Sequence, residues 1–345
     1  MHSNRPHTKA GQPADMAAPL AAFAAPLAAF LERHDFFILT THDPADADGL
    51  GAQMVLACIL REKGKQFRII NASPIPRHFK FMDPQGIVEQ WDEERQGKLP
   101  EQSGLLLLDT ADERITGKMQ DAISHAKEVF VIDHHDPKPS ASFSGITDSA
   151  SASTCELTVE LAKALHITLD PQTAYAAYIG IAYDTGFFAY PKTRQRTFYA
   201  VLTLLESGVK PINVYQQLHE NASVEALLLQ KKALAGLTLH CNNRVAVQTL
   251  RREDFIEVGA LPEDTEGFVN FPLKAREIVV SLLIKEKEGK VRGALRSKGN
   301  INVAKIAQEL GGGGHLNASG FKSDLDVDHT LTKALAKIAE YLDKE

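Results

Sequence analysis

The chain has 345 residues, 44% hydrophobic and 24% charged, with a formal net charge of −6; that is an ordinary globular composition, long enough for two domains. The acidic balance excludes a global basic field that would coat long nucleic acid, and no unbroken apolar run of roughly 18 residues offers a membrane span. Three widely spaced cysteines, Cys58, Cys155 and Cys241, make no disulfide framework and fit a reducing cytoplasm.

The first 16 residues read as disordered. "AAPLAAF" then occurs twice, at 17–23 and 24–30, and places Leu20, Phe23, Leu27 and Phe30 on one helical face. Arg5 and Lys9 ahead of an Ala-rich run resemble a signal peptide, but two prolines and Asp15 oppose that reading. Strands follow at 36–43, 67–71, 105–112 and 129–136, with helical patterns at 51–64, 118–128 and 153–166. The last opens on a capping box, Ser153 with Glu156. Near-continuous apolar strands alternating with helices predict a doubly wound, mainly parallel sheet covered on both faces. Ligands in such sheets sit at the carboxyl ends of the strands.

A helix within 173–188, ending near Asp184 and Gly186, and another at 196–208 close a first domain spanning 17–208, and 209–222 reads as a linker. From 223 to 345 the pattern becomes a helix, strands at 244–250, 277–287 and 290–298, a helix at 302–310, a "GGGGH" run and a last helix at 328–343. The short turn between the second and third strands predicts a smaller α/β domain with a mixed sheet. Two domains imply a cleft between them as the place for the active site.

Four clusters at predicted element ends carry the chemistry: His42, Asp46 and Asp48 in "THDPADADGLGA"; Asp109 after four leucines; Asp133, His134 and His135 in "VIDHHD"; and Asp184 in "AYDTG". Asp46 and Asp48 lie one residue apart, so in an extended loop both carboxylates can point the same way, and Gly49 and Gly51 allow a tight turn into the helix. One Asp at a strand end is usually a cap or turn residue, and His34, His78, His125, His166, His219, His240 and His329 stand apart as surface or packing residues. The clusters together suit divalent metal with oxygen and imidazole ligands. So many ligand-type side chains suit two ions sharing a carboxylate, the arrangement that clamps attacking and leaving oxygens in phosphoryl hydrolysis. A fifth cluster, "LRSKGNINVAKIAQELGGGGHLNASG", couples Arg296 to a glycine-rich turn, a phosphate cradle by type. Residues 274–300 around it hold eight Lys/Arg and three Glu, a local balance of +5.

In this order the motifs resemble the DHH phosphoesterases with a DHH-associated C-terminal domain, most closely their nanoRNase/pAp-phosphatase branch. "HDPADAD", "LLLLDTAD", "VIDHHD", "AYDTG", "DSASASTCEL" and "GGGGHLNASG" carry the resemblance over residues 34–343. It implies two Mn²⁺, with Mg²⁺ or Co²⁺ as substitutes. His42, Asp46 and Asp109 would hold one ion, and Asp48, Asp109, His134 and Asp184 the other, with Asp109 bridging. It implies catalytic roles for Asp109 and for His135, which would meet the phosphate or leaving group; Asp133 would orient an imidazole. Arg296, Ser297, Gly313, Gly314 and His315 would bind the terminal nucleotide. Two positions depart from the family pattern: Pro44 comes one residue early, leaving Ala45 and Ala47 around Asp46, and Leu316 stands where a Lys is common.

The function expected is therefore cleavage of very short oligoribonucleotides to 5′-mononucleotides, with dephosphorylation of the nucleotide 3′,5′-bisphosphate pAp. The expected setting is cytoplasmic, without a membrane partner, and allows for a homodimer. The alternative is a cyclic di-AMP/pApA phosphodiesterase using the same metal pair. An inorganic pyrophosphatase would need a dense Lys/Arg cluster, a processive single-strand exonuclease a dedicated strand-binding domain, and a non-catalytic regulator would be expected to lose ligand residues.

Overall fold

A computed structural model of the protein describes residues 17–136, 143–287 and 289–342; the expected disorder of 1–16 lies outside them. The chain divides into two compact units, at Leu218 and His219.

In the first unit the strands are β1 (Phe36–Thr40), β2 (Gln66–Asn71), β3 (Val88–Gln90), β4 (Gly104–Leu108), β5 (Glu128–Asp133) and β6 (Ser144–Thr147). The helices are α1 (Ala17–Arg33), α2 (Ala47–Glu62), α3 (Glu93–Gln96), α4 (Met119–His125), α5 (Thr154–Ala164), α6 (Pro171–Asp184), α7 (Gln195–Glu206) and α8 (Pro211–His219). All pairings in the sheet are parallel, in the order β3-β2-β1-β4-β5-β6. Strand period two sorts the leucines of β4: Leu106 and Leu108 join the core of α1, α2, α5 and α6, while Leu105 and Leu107 pack with Trp91, Met119 and Ile123 on the other face. Burial on both faces is why these strands read as continuous apolar runs. The short strands β3 and β6 lack that signal. β6 is "SGIT", with only Ile146 buried, and its position at the sheet edge asks for no more.

The segment read as a linker, 209–222, holds α8. Val209 and Val214 are buried in the first core and Leu218 packs against it, so the first unit continues ten residues past Gly208. Gly208 and Pro211 stop α7 but leave apolar residues that still need burial.

The second unit holds α9 (Val224–Ala235), β7 (Thr238–His240), β8 (Val245–Leu250), α10 (Arg252–Val258), β9 (Val280–Lys287), β10 (Lys290–Ser297), α11 (Val303–Glu309), β11 (Gly313–His315), β12 (Ala318–Ser323) and α12 (Val327–Leu342). Its sheet is mixed, ordered β11-β12-β10-β9-β8-β7, with only β8 and β9 parallel. The glycine run is partly a strand. Gly312 and Gly314 lie so close to β12 that a Cβ on either would strike its backbone.

Two features of the first unit set its geometry. Helices α2, α5 and α6 meet through small residues. A Cβ on Gly51 would lie 2.5 Å from Cys155 Sγ and 2.7 Å from the Ala176 carbonyl oxygen, and one on Gly180 would overlap Cys155 Sγ and lie 3.0 Å from the Ala47 carbonyl. Gly49 and Gly51 are thus helical residues that admit neighbours; the sequence reading made them turn residues. Separately, Glu128 joins β5 to α1, accepting from Arg33 at 2.6 and 3.1 Å with His34 Nε2 at 2.9 Å. The Arg33 hydrogen bonds outweigh burial, and with His34 they hold its carboxyl down to about 2.

Alanine at position 180 gains ~1 kcal/mol of helix propensity but overpacks a core at a cost of roughly 1–3 kcal/mol. Gly180→Ala is therefore expected to lower stability in urea, and Cys155→Ala in the same chain to recover part of the loss; a single variant as stable as the parent contradicts this packing. A carboxyl whose pKa is depressed on folding stabilises above its unfolded pKa of ~4.3 and loses that contribution as pH falls. Glu128→Gln is accordingly expected to be less stable than the parent at pH 6, with the difference closing toward pH 2.

Candidate metal centre

The strand order reverses direction of growth at β1 and β4, whose connections leave to opposite sides. Such a switch point opens a crevice at the carboxyl ends of the strands. His42 and Asp46 follow β1, Asp109 follows β4, and Asp133 and His134 stand at the end of β5. Asp48 comes from the first turn of α2 and Asp184 from the last residue of α6.

These side chains form interlocking groups. His42, Asp46 and Asp109 offer ligand atoms within 4.8 Å of one another, as do Asp48, His134 and Asp184, and Asp109, His134 and His135. Asp109 joins them. Its Oδ2 is 3.4 Å from His42 Nε2 and its Oδ1 3.6 Å from His134 Nε2. His134 Nε2 is also 3.1 Å from Asp184 Oδ2 and 3.9 Å from Asp48 Oδ2, and His42 Nε2 is 3.6 Å from Asp46 Oδ1. Asp46 and Asp48 thus serve different groups. Asp46 is the N-cap of α2, with extended backbone, and accepts from the Asp48 and Gly49 amides, whereas Asp48 is already in the first helical turn, so one extended loop does not carry both.

Burial and crowding charge the site unevenly. Asp48, Asp109 and His134 are buried. Burial, then the neighbouring Asp46 charge, pushes the Asp48 carboxyl up to about 6, despite the amides that stabilise its anion. Burial and Asp48 push Asp109 well above the carboxylate range, against the pull of His42; burial with Asp48 and Asp46 does the same to Asp184. Asp46 goes the other way, since His42 outweighs its burial. For His42, burial opposes the charge but Asp109 and Asp46 overcome it, raising the ring to about 11. For His134, burial and the adjacent His135 and Lys192 lower it to about 3, which favours the neutral ring. Carboxylates held together against their own repulsion, with imidazoles and no thiolate among the ligands, fit one or more divalent cations.

The supports were less visible in sequence. Asp48 accepts from the backbone amides of Thr154 (2.6 Å) and Cys155 (2.8 Å), and Thr154 Oγ1 donates to Asp109 at 2.9 Å. The capping box at Ser153 marked this helix start, but nothing in its spacing names Asp48 as the partner. Lys192 Nζ approaches the His134 carbonyl at 3.4 Å. Asp109 itself has φ +60°, a left-handed backbone of the kind that collects at functional sites. Asp133 accepts from both the amide (3.1 Å) and Nδ1 (2.7 Å) of His135.

The five nucleotide-binding candidates lie in the second unit. Arg296 pairs with Ala318, which pairs with His315, so 296, 318 and 315 form one row across the sheet. Arg296 donates to the Leu295 carbonyl at 3.0 Å. Ser297 is buried and its hydroxyl is engaged inside the unit, donating to the Ile301 carbonyl (2.6 Å) and accepting from Asn317 Nδ2 (3.0 Å). Gly314 has φ +142°, whereas a Cβ on Gly313 would meet nothing within 4 Å.

The DHH family N-terminal domain pattern matches residues 37–181 and the DHHA1 domain pattern residues 242–344. The chain belongs to the DHH family, and its class is that of metal-dependent hydrolases acting on phosphate esters. It is 27% identical over 306 residues to the bifunctional oligoribonuclease and PAP phosphatase NrnA of Thermus thermophilus, covering 88% of this chain and 89% of that one. It is 26% identical to the cyclic-di-AMP phosphodiesterase GdpP of Bacillus subtilis, over 89% of this chain and 48% of that one. In fold it is similar to an exopolyphosphatase-related protein from Bacteroides fragilis, with a TM-score of 0.86, 24% identity, and coverage of 94% of this chain and 98% of that one. Among the described residues no helix is long and apolar enough to cross a membrane.

Asn tolerates the left-handed backbone of position 109 and removes one buried carboxylate from the cluster. Metal-free Asp109→Asn is expected to unfold at a temperature no lower than the metal-free parent. Divalent metal should raise the parent's melting temperature and leave the variant's unchanged; an equal rise in both would remove Asp109 from the centre.

Proposed function

We propose that the protein is a manganese-dependent phosphoesterase that cleaves very short oligoribonucleotides to 5′-mononucleotides and removes a phosphate from pAp. The observation that carries this reading is the junction at Asp109, whose two carboxylate oxygens face different histidines of two ligand groups. His42, Asp46 and Asp109 would hold one ion, and Asp48, Asp109, His134 and Asp184 the other. When bound, such a pair supplies positive charge for a phosphoryl group and a water of lowered pKa.

The chain's own residues do the rest. The Thr154 and Cys155 amides and the Thr154 hydroxyl keep Asp48 and Asp109 from rotating. Asp133 holds Nδ1 of His135, so Nε2 is the atom through which His135 would meet a phosphate oxygen or the leaving group. Arg296 and the open backbone at Gly313 would grip the terminal phosphate, with His315 in the same row of the sheet as Arg296 and Ser297 tying β10 to Ile301 and Asn317. The name and coverage of the Thermus relative support a short-oligonucleotide and pAp substrate class.

A second reading is hydrolysis of cyclic di-AMP or pApA. It is favoured by likeness to a cyclic-di-AMP phosphodiesterase. The two readings separate in one panel: pApA, a five-nucleotide RNA, a long single strand, pAp, cyclic di-AMP and pyrophosphate, each with Mn²⁺ and then with chelator. The expected order is pApA and the short RNA first, pAp next, and little turnover of the others, all lost on chelation. Fastest cleavage of cyclic di-AMP would replace the first reading with the second, and full activity in chelator would remove the metal from both.

A further inference from the structure

The stretch 148–153, "DSASAS", runs from the end of β6 to Ser153, the N-cap of α5. Because the first amides of α5 hold Asp48 and the Thr154 hydroxyl holds Asp109, these carboxylates are placed only as well as that helix start. Arg196, in the first turn of α7, joins Asp148 at the start of the stretch to Glu160 and Glu156 of α5. Its Nε donates to Glu160 Oε1 at 2.6 Å while Nη2 bonds the other Glu160 oxygen, and Nη1 donates to Asp148 Oδ2 at 2.5 Å. Nε is also 3.4 Å from Glu156 Oε1, which accepts from Ser151 Oγ at 3.1 Å. At the far end, the Asp148 amide donates to the carbonyl of Asp133, next to His134.

A plain stabilising salt bridge does not account for this. The Asp148, Glu156 and Glu160 side chains are 17%, 1% and 8% exposed, and one guanidinium faces all three. Glu156 Oε2 is buried without a hydrogen-bond partner. A buried ionic network is weak evidence for stability; what this one does is geometric, holding the end of β6 against α5.

We propose that Arg196 is a positioning residue for the metal centre: it ties the end of β6 to α5 and thereby fixes the helix start that orients Asp48 and Asp109. The inference rests on reading the cluster as a metal centre. It assigns Arg196 a role that charge alone cannot fill, because a lysine keeps the charge but cannot fork across Glu160 and Asp148 together.

The test uses the full chain, stripped of metal, with Mn²⁺ affinity measured by calorimetry, stability by urea unfolding, and kcat and KM on pApA. Arg196→Gln and Arg196→Lys are expected to bind Mn²⁺ at least about tenfold more weakly, the usual scale for loss of a group supporting a ligand. Their kcat should fall while KM changes little. Asp148→Asn should show a smaller loss in the same direction. Val214→Ala, a core truncation on α8, should lose stability while keeping the parent's Mn²⁺ affinity. If Arg196→Gln does not fold, Arg196→Lys and Asp148→Asn decide by the same measures. Parental affinity and kcat in folded Arg196→Lys would overturn the role of Arg196 alone. A parent chain that binds no Mn²⁺ would overturn the metal-centre reading, and this inference with it.

Discussion

The structure turns on one electrostatic constraint: Asp46, Asp48, Asp109 and Asp184 converge at one end of a parallel sheet, three of them with carboxyls pushed up by burial and mutual repulsion. Carboxylates so placed cost stability without a cation, and the surrounding fold has to hold them against their tendency to separate. The Thr154 hydroxyl on Asp109 and the helix-start amides under Asp48 are the visible means. Both restrain carboxylates without adding a charge that would compete with a metal.

The packing around that constraint is close because it uses small residues. Gly51, Gly180 and Cys155 let α2, α5 and α6 approach until the start of α2, the start of α5 and the end of α6 share one small volume. Each helix brings something different: Asp48 from the first, the amides that hold it from the second, Asp184 from the third. A helix start is suited to an anionic side chain because its first amides lack partners within the helix. Cys155 stays a thiol there, since burial and the Asp48 charge push its pKa well up.

In the second unit the glycine run divides by physical cause. Gly311 takes a left-handed φ, Gly312 and Gly314 lie against β12, and Gly313, like Gly311, faces open space. Much of what reads in sequence as a phosphate loop is thus demanded by strand packing. Asn317 and Ser319 likewise serve the fold, Asn317 bonding Ser297 Oγ and the Gly299 carbonyl, and Ser319 the Val303 carbonyl.

The sequence alone determined the strand–helix alternation, the parallel first sheet and the acidic and histidine clusters, because burial on both faces and ligand chemistry each leave a local mark. Those marks are strongest in β1, β4 and β5 and absent in β3, β6 and β11, which are short and carry few buried side chains. Spacing did not say which candidate shares a group with which: the family resemblance implied a grouping, and the tertiary structure is where the side chains meet. Asp46 and Asp48 are two residues apart yet belong to different groups, while Asp48 and Asp184 are brought together across 136 positions. Only the tertiary structure decided that Thr154 and Cys155 bond Asp48 and Asp109, that Arg196 joins Asp148 to α5, and that 209–218 belongs to the first core. These outcomes depend on where helix ends and side chains from distant segments meet in space, and spacing along the chain carries no information about that.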